Sequence, residues 1–208
     1  MKIIREACVE TLTQCLNAEK NGADRLELCG DLAVGGITPA QDILESVLAQ
    51  VRIPVKVMVR PRGGNFVHSP VEIEQIKQDI KMCHRLGVRE IVCGFLTQSG
   101  EIDRELTAEI AALAAPLRIT FHKAIDETPD IFAAVKTLKT ITGVTSILSS
   151  GGVKTAAAGA ETLRRMQEHC GDKIQLIAAG KVTQQNLTGL HARIGTQEYH
   201  GRLIVGAL

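Results

Sequence analysis

IPVKVMVRPRGGNF, residues 53–66, is the stretch from which the rest of the chain is most readily placed. Val55, Val57 and Val59 alternate with Lys56, Met58 and Arg60, the two-residue period of a strand and not the 3.6-residue period of a helix. One face is β-branched and apolar. The other carries a thioether and two cations and runs into Arg62 and the pair Gly63-Gly64. A strand that buries one face and delivers charge at its carboxyl end, where a flexible loop starts, is how parallel α/β proteins present a ligand site.

Working outward, the same word recurs eight times: a short β-rich run, a turn signal, then a helical stretch. The repeats are roughly 22 to 36 residues long, which suits βα units. The strand cores run Ile3–Val9, Arg25–Cys29, Val55–Arg60, Glu90–Phe95, Arg118–Lys123, Ser146–Ser149, Ile174–Ala178 and Glu198–His200. Eight units predict a single α/β domain over residues 1–208, a closed (β/α)8 TIM-type barrel. An open doubly wound sheet is the competing architecture, but it uses fewer strands. The dinucleotide glycine fingerprint is also absent, so no nucleotide cofactor is indicated.

Only eight residues follow His200, so the eighth helix is expected to be short or missing. Either the chain is cut short or something else covers the seam between the first and eighth strands. An uncovered barrel wall would expose an apolar patch, which predicts a homo-oligomer interface, dimer or higher, at or near that seam. Elsewhere the helices are well punctuated. Thr38-Pro39-Ala40-Gln41 and Ser69-Pro70-Val71-Glu72 each read as a hydroxyl N-cap, a proline at the first helical position and an amide or acid two places on. Thr128-Pro129 repeats the first two parts. Helical spacing puts Cys15, Cys83 and Cys170 on buried faces.

Composition narrows the function classes. Lys+Arg 24 is nearly matched by Asp+Glu 23, and Trp 0, Tyr 1 and Phe 4 give no stacking platform, which argues against a nucleic-acid partner. The opening MKIIRE becomes charged before a signal peptide could form, and no run approaches the roughly 18 apolar residues of a membrane span. A cytoplasmic protein without a membrane partner is expected. Six cysteines with no CxxC pair read as reduced thiols, not as a disulfide framework or a structural zinc site.

In a barrel, side chains of one parity face the helix layer and the other parity fills the lumen, with the last inward residues forming the site. Charge sets the parity. Ile3, Ala7, Val9, Leu26 and Leu28 suit the helix side, which turns Glu6, Cys8, Glu10, Arg25, Glu27 and Cys29 inward. The third strand adds Lys56, Met58, Arg60 and then Arg62, the fifth Thr120 and His122 with Lys123 at the exit, and the eighth His200. The fourth strand is too uniformly apolar for this test, so Cys93 stays unassigned. Low in the barrel, Arg25, Glu27, Glu6 and Lys56 read either as structural ion pairs or as functional groups. Arg60, Arg62 and His122 lie at strand exits, where sites are built. Two turns, Ser149-Ser150-Gly151-Gly152 and Ala179-Gly180-Lys181-Val182, could converge backbone N–H groups on an anion. They come one βα unit earlier than the usual phosphate site of barrels, and turn chemistry also explains their glycines.

Taken in order, ADRLELC (23–29), GGITP (35–39), VMVRPRGGNF (57–66), ITFHKAID (119–126), SSGG (149–152), AAGKV (178–182) and YHG (199–201) resemble the copper homeostasis protein CutC family, from Ile4 to about Gly201. Lys123 stands where the family's motif is expected to carry arginine. The resemblance implies a cytoplasmic, often oligomeric (β/α)8 barrel named for a role in copper tolerance, and so Cu(I) as ligand. Cu(I) is soft and favours thiolate and thioether donors, and Cys8, Cys29 and Met58 on adjacent strands are the candidate metal ligands. The alternative is an enzyme acting on a small carboxylate or phosphate. In that reading Arg60 and Arg62 grip the anion, Glu6 is the base and His122 transfers a proton. Lys123, Ser150, Gly151, Gly180 and His200 then bind substrate. An inert scaffold leaves too many charged strand ends without a ligand to meet.

Overall fold

The computed structural model describes residues 2–208. Eight parallel strands close into a barrel in sequence order: β1 (Ile4–Val9), β2 (Arg25–Leu28), β3 (Val55–Met58), β4 (Glu90–Cys93), β5 (Arg118–Phe121), β6 (Val144–Ser149), β7 (Gln175–Ala178) and β8 (Glu198–Gly201). Between them run α1 (Leu12–Lys20), α2 (Gln41–Gln50), α3 (Pro70–Arg85), α4 (Arg104–Ala114), α5 (Ile131–Leu138), α6 (Ala160–Cys170) and α7 (Leu187–Ile194). No α-helix follows β8 among the described residues. None of the helices is long and apolar enough to cross a membrane.

Register fixes which residues share a layer. Glu6 pairs with Arg25 and His200, Cys8 with Glu27, Glu27 with Lys56, and Lys56 with Glu90. The outward parity, including Ala7, Val9, Leu26, Leu28, Val57 and Ile91, packs into one core with the buried faces of the helices. Cys15, Cys83 and Cys170 belong to that core, and burial pushes their thiols up to about 12, 12 and 11. Cys93 joins them on the helix side.

Inward, the lower lumen is a closed polar layer. Lys56, 1% exposed, lies 3.3 Å from Glu6 and 2.8 Å from Glu90 and donates to Thr120 Oγ1, which in turn donates to Glu90. Arg25 bridges Glu6 and Glu198. Arg118 reaches Glu90 from the barrel's outer end at 3.2 Å, so Glu6, Glu90 and Glu198 meet the three cations Lys56, Arg25 and Arg118. Buried ions persist only when paired and hydrogen-bonded in this way.

Two of the three proposed caps are corrected. Ser69 and Glu72 do form a capping box at the start of α3. Thr38 caps nothing: its hydroxyl donates to Asp79 and accepts from the Arg60 backbone N–H, pinning the exit of β3, and α2 starts after Ala40 without a side-chain cap. Thr128 donates to the Ile125 carbonyl, and Asp130 caps α5 in its place.

The seam is also covered, against the expectation of an exposed wall. Ile204 and Val205 enter the core, the Leu203 carbonyl accepts from Gln184 N–H, and the Ala207 carbonyl accepts from Asn21 at the end of α1. Ala7, Val9 and Tyr199 on the two seam strands are buried accordingly. Residues 202–208 therefore do the work of an eighth helix as a packed, irregular tail.

Candidate functional site

Above the ionic layer the lumen changes from charge to sulfur. Cys8, Cys29, Met58 and Val92 form a separate buried cluster with Leu32 packed against it. The two thiols lie 3.4 and 3.5 Å from one oxygen of Glu27. His200 approaches the same oxygen at 3.6 Å through Nε2, while its Nδ1 is held at 2.8 Å by Glu6. Donor atoms of Cys8, Glu27 and His200 all fall within 4.8 Å of one another. Gly36, at φ +87°, lets the β2–α2 loop lie on this cluster, since a Cβ there would stand 3.2 Å from Cys29 Sγ.

Protons in this cluster are shared between neighbours. A hydrogen bond from Cys29, opposed by burial and helped by His200, holds the Cys8 thiol well below its usual value, and Cys29 rises correspondingly. Burial first, then the negative charge of Cys8 and Glu6, pushes the Glu27 carboxyl up to about 8. Burial works against a charged His200, but Glu27, Cys8 and Glu6 outweigh it and hold the imidazole well above its ordinary value. The other Glu27 oxygen, Oε1, is buried without a partner. Two thiols, a thioether, an imidazole and an under-satisfied carboxyl thus line one wall, a donor set that matches a soft ion.

A small cavity of about 110 Å³ opens beside this wall, lined by Cys8, Glu27, Met58, Arg60, His122 and His200 among others, with Lys123 and Phe66. The sites predicted from sequence divide here. Arg60, His122, Lys123 and His200 reach the cavity, and Arg62 does not. All three nitrogens of Arg62 are bonded to its own loop, through Glu72, Asn65 and the carbonyls of Gly63 and Val67. Ser150 and Gly151 are likewise away from it. Their turn does converge N–H groups on an anion, as expected, but the anion is the Asp126 carboxylate, which accepts from Ser149, Ser150 and Gly152. Gly180 packs against Ser150, leaving no room for a side chain.

Two assigned roles change with this geometry. Glu6 is not placed as a base: despite burial, Lys56, Arg25 and His200 hold its carboxyl far below the usual range, where it serves to orient His200. His122 does not titrate near neutrality, because burial and the neighbouring Arg60 bring it down to about 3. Its Nδ1 accepts from the Ala124 N–H, which leaves the proton on Nε2. Glu27 is the residue that sequence reasoning placed in the lumen but left out of the site. Its inward parity, two residues before Cys29 in the alternation Arg25-Leu26-Glu27-Leu28-Cys29, was the available signal, and the register sets it opposite Cys8.

The comparisons with known proteins agree on the whole chain. The sequence model of the CutC family matches residues 3–205. A copper homeostasis protein cutC homolog from Homo sapiens is 40% identical over 197 residues, covering 95% of this chain and 72% of the relative. A family protein CutC from Chromobacterium violaceum is 35% identical over 200 residues, 96% of this chain and 81% of that one. The crystal structure of a CutC protein from Streptococcus agalactiae superposes with a TM-score of 0.92 at 32% identity, covering 97% of this chain and 99% of that one.

Proposed function

Because the chain belongs to the CutC family, we propose that it takes part in copper homeostasis by binding Cu(I) at the sulfur-bearing wall of its lumen. The observation that carries this reading is the clustering of Cys8, Cys29 and Met58 in one buried patch, with His200 and Glu27 beside it. Cys8 and Cys29 would supply thiolates, Met58 a thioether and His200 a borderline imidazole donor, in a setting dry enough to favour soft ligation over hydration. Cysteine thiolates, not thiols, bind metal, and Cys8 is the thiol this environment deprotonates most readily. Glu6 fixes the His200 ring through Nδ1, which leaves Nε2 facing the thiols.

An anaerobic Cu(I) titration against a competing chelator tests the reading. Tight stoichiometric binding by the wild type, lost in a Cys8→Ser, Cys29→Ser double variant, is the expected result. Weak binding, or binding the variant retains, removes copper from this site. The same reading places the protein in the cytoplasm as a homo-oligomer. Leu16 on α1 and Leu203 on the tail support assembly, at 37% and 48% exposed, and light scattering at micromolar concentration decides it.

A further inference from the structure

The cavity beside the thiols is bounded by a cation that touches no carboxylate, although Glu127 acts on it from a distance. Arg60 is 5% exposed, yet it forms no ion pair with any described residue. Its Nη1 donates to the carbonyls of Gly35 (3.4 Å) and Gly36 (3.2 Å), and its Nη2 to that of Gly64 (2.6 Å). The guanidinium also lies over the Phe66 ring at 4.7 Å. These contacts are neutral, and Nε–H is buried with no partner at all. Elsewhere in this lumen every buried cation meets a carboxylate, as Lys56 and Arg25 do. A buried guanidinium left unpaired is costly, and a donor left unbonded adds to that cost.

On the side of the cavity away from Cys8 and Glu27, the neighbours of Arg60 are donors too. His122 accepts through Nδ1, so its Nε2 carries a hydrogen. Lys123 stands at the rim with its side chain 41% exposed, and its nearest carboxylate, Asp126 at 3.5 Å, is already engaged by Ser149, Ser150 and Gly152. Two cations and a neutral N–H donor thus line one side of a space of about 110 Å³, with Cys8, Glu27 and His200 on the other, a space too small for a nucleotide or a sugar ring. We propose that this cavity is an oxyanion site, in which Arg60 Nε–H and Lys123, with His122 Nε2–H, take a single carboxylate or phosphate group next to the thiols. The ligand is either a free inorganic oxyanion or the carboxylate of a small organic acid. The site shares its cavity with the Cu(I) ligands but does not depend on them.

The test uses the metal-free protein, with chloride replaced by sodium phosphate or sodium acetate at constant ionic strength and pH. Thermal unfolding and calorimetric titration read the binding. A saturable rise in the unfolding midpoint is expected with at least one anion, and which of the two gives it separates the inorganic from the carboxylate source. Lys123→Gln is expected to weaken that binding about tenfold or more, the effect of losing one charge-assisted hydrogen bond. Arg60→Gln is expected to abolish it. Arg60 also ties two loops together, so the exposed Lys123 provides the arm that does not depend on folding. The Cys8→Ser, Cys29→Ser variant should keep the anion response while losing copper, which separates failure of one reading from failure of the other. A midpoint in both anions equal to that in chloride, or a rise unchanged in Lys123→Gln, overturns the proposal.

Discussion

Lys56 shows what a single buried charge does in this lumen. It bridges Glu6 and Glu90 from a position 1% exposed, so removing it leaves Glu6 to Arg25 and His200 and leaves Glu90 to the exposed Arg118 alone. Lys56→Met keeps most of the volume and is expected to cost about 3 kcal/mol, the low end of the penalty for breaking a buried ion pair, because each carboxylate keeps a second cation. Urea denaturation measures it, and a loss below about 1 kcal/mol would mean that Arg25 and Arg118 suffice to hold Glu6 and Glu90. Gly94 makes a complementary case of space. A Cβ there would stand 2.5 Å from His122 Nδ1 and 3.1 Å from the Phe121 ring. Gly94→Ala must therefore push the His122 ring off the Ala124 N–H, with an expected destabilisation of about 1–3 kcal/mol, also read by urea. At this scale the sequence was only partly legible. The lumen positions of Cys8, Cys29 and Met58 follow from parity, because charged neighbours at even spacing cannot face the helices. Cys93 could have been placed in the same way, since Glu90 three residues earlier pairs inward with Lys56. Arg62 could not be read, because the carboxylate that engages it is ten residues away and only the folded loop brings Glu72 back to it.

At the scale of elements, α3 is the helix whose start is most fully specified locally. Ser69 and Glu72 form the box, Pro70 occupies the first turn, and Glu72 also receives Arg62. Hydrogen bonds from Arg62 and from the Ser69 backbone bring the Glu72 carboxyl down to about 2. A carboxyl depressed on folding stabilises the native state above its unfolded value near 4.5, and that contribution is lost as pH falls toward 2. Glu72→Gln should therefore flatten the acid limb of the stability profile in this window while changing little of the slope above pH 6. Ser69→Ala is expected to cost about 1 kcal/mol at neutral pH. Chemical denaturation across pH 2–7 checks both, and an acid limb unchanged in Glu72→Gln would place the pH dependence elsewhere. Thr38-Pro39 carries the same local signature as Ser69-Pro70, yet it caps nothing. Its hydroxyl is taken by Asp79 of α3 and by the exit of β3, tertiary partners that no local pattern encodes.

For the molecule as a whole, closure of the barrel was legible from eight repeated βα words, but the device that seals it was not. An irregular tail has no periodicity to read, and its burial depends on contacts with α1 and the β7–α7 loop. If residues 202–208 stand in for a helix, the load falls on Ile204, which is 0% exposed and packs in the core beneath the seam. Ile204→Ala is then expected to destabilise the protein by about 2–5 kcal/mol, as a core truncation with a cavity left behind. Its denaturant slope should stay at the wild-type value, since the same surface is exposed on unfolding. Leu203→Ala is the control. That side chain is 48% exposed, so its loss should leave monomer stability within about 0.5 kcal/mol. The pair also addresses assembly: if Leu203 contributes to a contact between copies, Leu203→Ala lowers the mass seen by light scattering without touching the unfolding of the monomer. A small cost for Ile204→Ala would show the tail to be a loose strap, and the stability of the β8–β1 seam would then have to come from the strands themselves.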